Sequence, residues 1–257
     1  MELLFLPIFR IIDIMNTNRK TAIIVGVLYI IGTVAGVLSV VLSTPLLEGP
    51  DFLTKVSSNE TQFVTATLFV LLMGLALAMV PVLLFPIFRK INEVLAVGYV
   101  VFRGALETVT YMLSVIVLLF ILVIGRQYVA VGTPSVSNLL TLGSILKEGK
   151  DFLAPITGIV FSAGALMLYY VFYQSKLIPR WISSWGFIAI LLHLASSFLI
   201  MFNLQTAFST SNMIMNSQIF LQEMVMAVWL IVKGFNQSAL ASLSAKPATN
   251  ELLSASS

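Results

Sequence analysis

Six long apolar stretches constrain this chain more than any other feature of its sequence. They run near 21 to 43, 62 to 88, 93 to 124, 153 to 174, 181 to 203 and 215 to 235. A bilayer core about 30 Å thick requires roughly 20 apolar residues per helix, and each stretch reaches that length. Strands of a membrane barrel would instead alternate over about 10 residues. The pattern predicts an all-α, polytopic integral membrane protein with a bundle of six transmembrane helices.

Composition supports this class and excludes others. Hydrophobic residues make up 59% of the 257 residues and charged residues only 10%, whereas soluble domains carry about 25% charged residues. The chain has no cysteine, which excludes disulfides, thiolate metal sites and cysteine nucleophiles.

The distribution of Lys and Arg predicts the orientation of the bundle. One set lies in the N-terminal segment, the second and fourth connections and the C-terminal segment: Arg10, Arg19, Lys20, Arg89, Lys90, Lys176, Arg180, Lys233 and Lys246. The other connections hold only Lys55, Arg126, Lys147 and Lys150. Short cytoplasmic segments are enriched in Lys and Arg, so both termini are predicted to be cytoplasmic. The net charge of +3 follows from this topology and indicates no nucleic-acid partner.

Three regions are expected along the chain. Residues 1–18 form a cytoplasmic interfacial segment or a lead-in to the first span, residues 19–236 form the transmembrane domain, and residues 237–257 form a disordered cytoplasmic tail. Between Arg126 and Asp151, apolar residues recur at helical spacing. This predicts an amphipathic helix on the outer interface, which either covers a cavity or only joins two spans.

Apart from tyrosines, the ionisable residues well within the spans are Arg103, Glu107, His193 and Glu223. Counted from the cytoplasmic ends of their helices, they lie about 15 to 21 Å deep at about 1.5 Å per residue, near the middle of the bilayer. Ionised side chains at that depth are costly and usually face the interior of a bundle. We therefore expect these four residues to converge.

Two tyrosines extend the predicted polar site. Arg103 and Glu107 are four residues apart and share a helix face, which Tyr111 continues. On the first span, Tyr29 lies on the same side as Gly32 and Gly36, whose spacing favours close helix packing.

Several functions fit this constellation. Arg103 can pair an anionic ligand, with proton exchange at Glu107 or Glu223 and His193 as a relay. A membrane-embedded enzyme acting on lipid by Glu and His acid-base chemistry is the first alternative, and a Ser-His pair with Ser196 or Ser197 belongs to it. A structural or regulatory protein, in which the charges only align helices, is the second.

Metal binding is disfavoured by the same constellation. Glu107, His193 and Glu223 supply three potential ligands, but Arg103 would repel a divalent cation. The residues therefore predict no metal and no cofactor. The expected partners are membrane lipids and a small-molecule or lipid ligand, and no oligomeric state is predicted.

The chain resembles the domain of unknown function 4386 family of prokaryotic six-helix membrane proteins. The resemblance rests on Arg19-Lys20-Thr21, Gly26, Tyr29, Arg103, Glu107, Pro179, Trp181, Trp185, Gly186, Gln222-Glu223 and the segment from Trp229 to Phe235. It spans residues 19 to 236 and implies six spans in a prokaryotic cell membrane. It implies no activity, substrate or cofactor.

Overall fold

Long apolar segments form helices in a membrane because only a helix pairs all of its backbone polar groups internally. The computed structural model describes residues 6–130 and 136–245, and every regular element within these ranges is helical. The helices are α1 (Leu6–Leu47), α2 (Phe52–Ser58), α3 (Glu60–Phe88), α4 (Glu93–Ala130), α5 (Val136–Ser175), α6 (Arg180–Met201), α7 (Thr210–Val232) and α8 (Gln237–Ala245). All except α2 and α8 are long and apolar enough to cross a membrane. The predicted all-α fold with six such helices is confirmed.

The six spans form a closed ring. Each span packs against the next one along the chain, and α7 packs against α1. We call the end where α3 turns into α4 and where α7 ends the terminal end of the bundle. The opposite end, which carries α2, is the distal end.

The ring is closed by contacts between α1 and α7. A Cβ atom on Gly26 would lie 2.6 Å from the carbonyl oxygen of Ala227, so the two backbones approach closely at this glycine. Arg19 donates hydrogen bonds to the carbonyl oxygens of Leu230, Ile231 and Val232 at 3.0, 2.6 and 3.2 Å. These carbonyl groups belong to the last turn of α7, where a helix offers no further amide groups to bond them.

Two apolar clusters fill the bundle. The larger one, at the terminal end, includes fully buried rings of Tyr29, Phe88, Tyr99, Tyr169 and Phe172. The smaller one, at the distal end, includes α2, whose Phe52, Leu53 and Val56 are buried. On α4, the buried residues of the larger cluster are Ala96 and Tyr99, and those of the smaller cluster are Leu118, Ile121, Leu122 and Ile124. The stretch between them carries Arg103 and Glu107.

The amphipathic helix predicted between Arg126 and Asp151 is present but is not separate from the fourth span. Both belong to the 40-residue helix α5. Its distal part packs against α2, because a Cβ on Gly143 would lie 2.9 Å from a methyl group of Leu53. This packing keeps the helix continuous where the change from polar to apolar sequence suggested a break.

The predicted terminal segments differ from the structure in one respect. Residues 237–245, which we expected to be disordered, form α8, and Leu240 is buried in the larger cluster. Asn236 begins this helix, since its side-chain oxygen accepts the amides of Ser238 and Ala239. Residues 246–257 of the predicted tail and residues 1–5 of the predicted interfacial segment lie outside the described residues. From Leu6 the backbone is helical and continues into the first span.

Candidate functional site

Arg103 lies in a segment of α4 whose backbone is a π-helix. The segment is Val100–Leu106, and the amide of Glu107 donates to the carbonyl of Phe102, five residues earlier. Such segments are rare and are frequent at functional sites. Gly164 of α5 faces it, since a Cβ there would lie 3.1 Å from the amide nitrogen of Arg103. The glycine thus allows α5 to contact the backbone that carries Arg103.

Arg103 binds two carboxylates from two helices. Its Nη1 donates to both oxygens of Glu107 at 2.9 and 3.0 Å, and its Nη2 donates to Oε1 of Glu223 on α7 at 3.4 Å. The side chains of Arg103 and Glu107 are 3% and 1% exposed, whereas that of Glu223 is 14% exposed. We call these three residues the ion cluster. The contact with Glu223 is the longer and more accessible of the two.

Aromatic side chains surround the ion cluster. The hydroxyl group of Tyr111 donates to Oε1 of Glu107 at 2.9 Å. The guanidinium carbon of Arg103 lies 4.4 Å from the ring centroid of Phe161 and 5.8 Å from that of Tyr29, distances at which a ring face attracts a cation. The hydroxyl of Tyr29 is 3.3 Å from that of Tyr99.

His193 lies beside the ion cluster but forms no hydrogen bond or ion pair with Glu107 or Glu223. Its Nδ1 is 2.5 Å from Oδ1 of Asn216, and since an amide oxygen only accepts, Nδ1 is the donor. The imidazole packs edge-to-face on Phe161 at 5.2 Å between centroids, and the same ring contacts the guanidinium of Arg103. Its Nε2 lies over Gly158, where a Cβ would be 3.0 Å away.

A cavity of about 290 Å³ adjoins the ion cluster. All six spans contribute to its lining, which includes Arg103, Tyr111, His193 and Glu223. Its exposed rim contains Val37, Ala154 and Phe220, which lie closer to the distal end than the ion cluster does. On the other side, the aromatic rings of the larger apolar cluster fill the bundle.

The structure therefore brings five of the six predicted site residues together directly. Arg103, Glu107, Glu223 and Tyr111 are linked by hydrogen bonds, and the ring of Tyr29 faces the guanidinium. His193 joins them only through the shared cavity and Phe161.

Neither the Ser-His pair nor the three-ligand metal site is seen. Ser197 donates to the main-chain oxygen of His193 at 3.0 Å, and Ser196 donates to Oδ1 of Asn212 at 2.5 Å. Within residues 6–130 and 136–245, no group of three His, Cys, Asp or Glu residues has a geometry suited to a metal ion.

Sequence reasoning missed three residues around the site. Phe161 is an ordinary apolar residue in the sequence, and nothing distinguishes it from the other phenylalanines. Asn216 lies in α7 at the spacing of one turn from Asn212, and the two amides bond at 2.6 Å, a signal that the sequence does contain. Gln222, next to Glu223, is fully buried and accepts the hydroxyl of Tyr169 at 2.6 Å.

Six helices suited to spanning a bilayer, with a buried Arg-Glu-Glu cluster between them, define a multi-pass membrane protein. The family model described as "Domain of unknown function (DUF4386)" matches residues 24–234. The chain belongs to this family, as its resemblance indicated. No curated protein and no solved structure matches it significantly.

Proposed function

We propose that this protein binds a small or lipid-derived anionic molecule in the cavity beside Arg103, and that binding is coupled to protonation of Glu223. Such coupling would suit transport of the anion. In this proposal the protein resides in a cell membrane with both termini cytoplasmic. The observation that carries the proposal is an unused hydrogen-bond donor on a buried cation.

That donor is the Nε–H of Arg103. Across the described ranges of the chain it has no hydrogen-bond partner, although it is buried. Nε and Nη2 form one edge of the guanidinium, which matches the two oxygens of a carboxylate or phosphate. Glu223 reaches only Nη2, at 3.4 Å. If Glu223 withdraws, this edge is free for an anion, while Glu107 stays on Nη1.

Charge balance explains why a proton would be involved. With both carboxylates ionised, the ion cluster carries one positive and two negative charges, and a further anion would be repelled. Protonation of Glu223 removes one negative charge, and the anion then replaces it as the second partner of Arg103. Binding of one anion thereby requires uptake of about one proton.

The experiment uses the full chain purified in a non-ionic detergent. We expect decanesulfonate and decyl phosphate to raise the thermal unfolding midpoint, and decyltrimethylammonium, which has the same chain length and the opposite charge, to leave it unchanged. The double substitution R103M/E107Q removes the Arg-Glu pair beside the cavity and should abolish the rise. As a matched control, R126M/E60Q removes an exposed Arg-Glu pair at the distal end and should preserve it.

The alternative is that the ion cluster only holds the helices together. The contact of Arg103 with Glu223 at 3.4 Å, which joins α4 to α7, favours that alternative. If neither anion stabilises the protein, or if both stabilise R103M/E107Q as much as the unchanged protein, the binding proposal is wrong and the structural role stands.

A further inference from the structure

We propose that a basic groove at the terminal end of the bundle binds the phosphate headgroup of an anionic membrane lipid. The groove has a volume of about 520 Å³ and lies between the α5–α6 turn, the end of α7 and the segment before α8. Lys176, Arg180, Lys233 and Trp229 are among its lining residues. It is separate from the cavity beside Arg103 and shares no lining residue with it.

Among the described residues, no carboxylate balances the charge of the groove. Lys176, Arg180 and Lys233 are exposed, and no acidic residue lines the groove in the described part of the chain. Neither lysine forms an ion pair with any described carboxylate. Arg180 is held in place by the ring and the carbonyl oxygen of Tyr173, at 4.9 and 3.3 Å. Three converging cations favour a phosphate group.

The backbone at Lys176 supports a role for its side chain. Its φ angle is 57°, a left-handed conformation that glycine or asparagine adopts more readily at the end of a helix. Backbone preference therefore does not explain a lysine at this position, whereas its charge at the groove does.

Two further features favour a lipid over a soluble phosphate compound. Trp229 lines the groove at the end of a span, and tryptophan side chains lie preferentially at the headgroup level of a bilayer. The carbonyl groups that end α7 would repel a phosphate, but Arg19 already binds three of them. The enrichment of Lys and Arg in cytoplasmic segments accounts for positive charge at this end of the bundle, but it does not account for three cations around one groove.

The test measures lipid binding to the detergent-purified full chain by native mass spectrometry, titrated with phosphatidylglycerol or phosphatidylcholine. We expect phosphatidylglycerol to bind more tightly, and K176G/K233Q to weaken that binding by about tenfold or more. Glycine suits the left-handed position, so this variant should fold. The matched control R89Q/K90Q also removes two positive charges from the terminal end, but outside the groove, and should change the affinity less than about threefold.

Three results would overturn the proposal. Equal weakening by the two double substitutions would mean that lipid is attracted by the general charge of this end. Unchanged affinity in K176G/K233Q would mean that the groove does not bind lipid. Competition by glycerol 3-phosphate at the same concentration as phosphatidylglycerol would indicate a soluble phosphate ligand instead. None of these results depends on the cavity beside Arg103.

Discussion

Arg103 shows how one residue determines the properties of the candidate site. A buried cation must be paired, and removing one partner from a buried pair typically costs about 3–5 kcal/mol. Here the pairing is unequal, because Glu107 is 1% exposed and makes two bonds, whereas Glu223 is 14% exposed and makes one bond at 3.4 Å. In the proposed binding mode, Glu223 is therefore the partner that the anion replaces.

Glu223→Gln tests this unequal pairing through pH. In the unchanged protein, one proton enters with one anion, so the affinity for decanesulfonate should rise as pH falls, by up to about tenfold per pH unit. Glutamine imitates the protonated carboxyl group without titrating, so in Glu223→Gln the affinity should be high and nearly independent of pH. Isothermal titration calorimetry between pH 5 and 8 measures both slopes, and the sulfonate stays ionised throughout.

The control for this prediction is Glu60→Gln. Glu60 bonds to the exposed Arg126 at the distal end, so its substitution should leave the slope unchanged. An equal slope in Glu223→Gln and in the unchanged protein would mean that the proton binds elsewhere.

At the scale of the helices, packing determines which glycines allow two backbones to approach closely. Gly32 and Gly36 were expected to allow close packing, and the structure covers them with the side chains of Leu77 and Met73, 2.7 Å from a Cβ on either glycine. The closer backbone approach occurs at Gly26, where the oxygen of Ala227 would be 2.6 Å away. A spacing pattern in one helix does not identify the partner that covers it.

Substitution of Gly26 by alanine should destabilise the ring where α1 meets α7. The added methyl group would contact a backbone oxygen, which moves only with its helix, and overpacking of this kind typically costs about 1–3 kcal/mol. The matched substitution is Gly149→Ala in α5, where no atom lies within 4 Å. It should stabilise the protein by up to about 1 kcal/mol, because alanine favours helix.

Unfolding of the two variants in dodecyl sulfate, followed by circular dichroism, measures these opposite effects. If Gly26→Ala unfolds at the same dodecyl sulfate concentration as the unchanged protein, α1 and α7 can move apart at little cost in free energy.

The whole molecule is a ring of six spans around two apolar clusters, with the ion cluster and its cavity between them. Closure by α7 against α1 brings Glu223 to Arg103, although they are 120 residues apart in the chain. The aromatic rings of the larger cluster fill the terminal side of the cavity, and its exposed rim residues lie closer to the distal end than the ion cluster does.

The topology can be tested because the chain contains no cysteine. Lys90→Cys and Ser238→Cys lie at the terminal end and Glu148→Cys at the distal end, all at exposed positions. Because Lys and Arg are concentrated at the terminal end, we expect a membrane-impermeant maleimide to label only Glu148→Cys in intact cells. After the cells are opened, all three variants should be labelled.

Labelling of Lys90→Cys and not of Glu148→Cys in intact cells would mean that the terminal end faces the outside of the cell, opposite to the predicted orientation. Labelling of Lys90→Cys and Ser238→Cys from opposite sides would contradict an even number of spans between them.

The sequence by itself determined the number and approximate bounds of the spans and the Arg103–Glu107 pair, because both depend on residues within a single helix. Apolar length is a local property, and residues four apart share a face wherever the helix lies. The tertiary structure decided that Glu223 rather than His193 completes the ion cluster, that Phe161 contacts both His193 and Arg103, and that α5 is continuous. These features depend on the rotation and packing of helices against distant neighbours, which no pattern within one segment encodes.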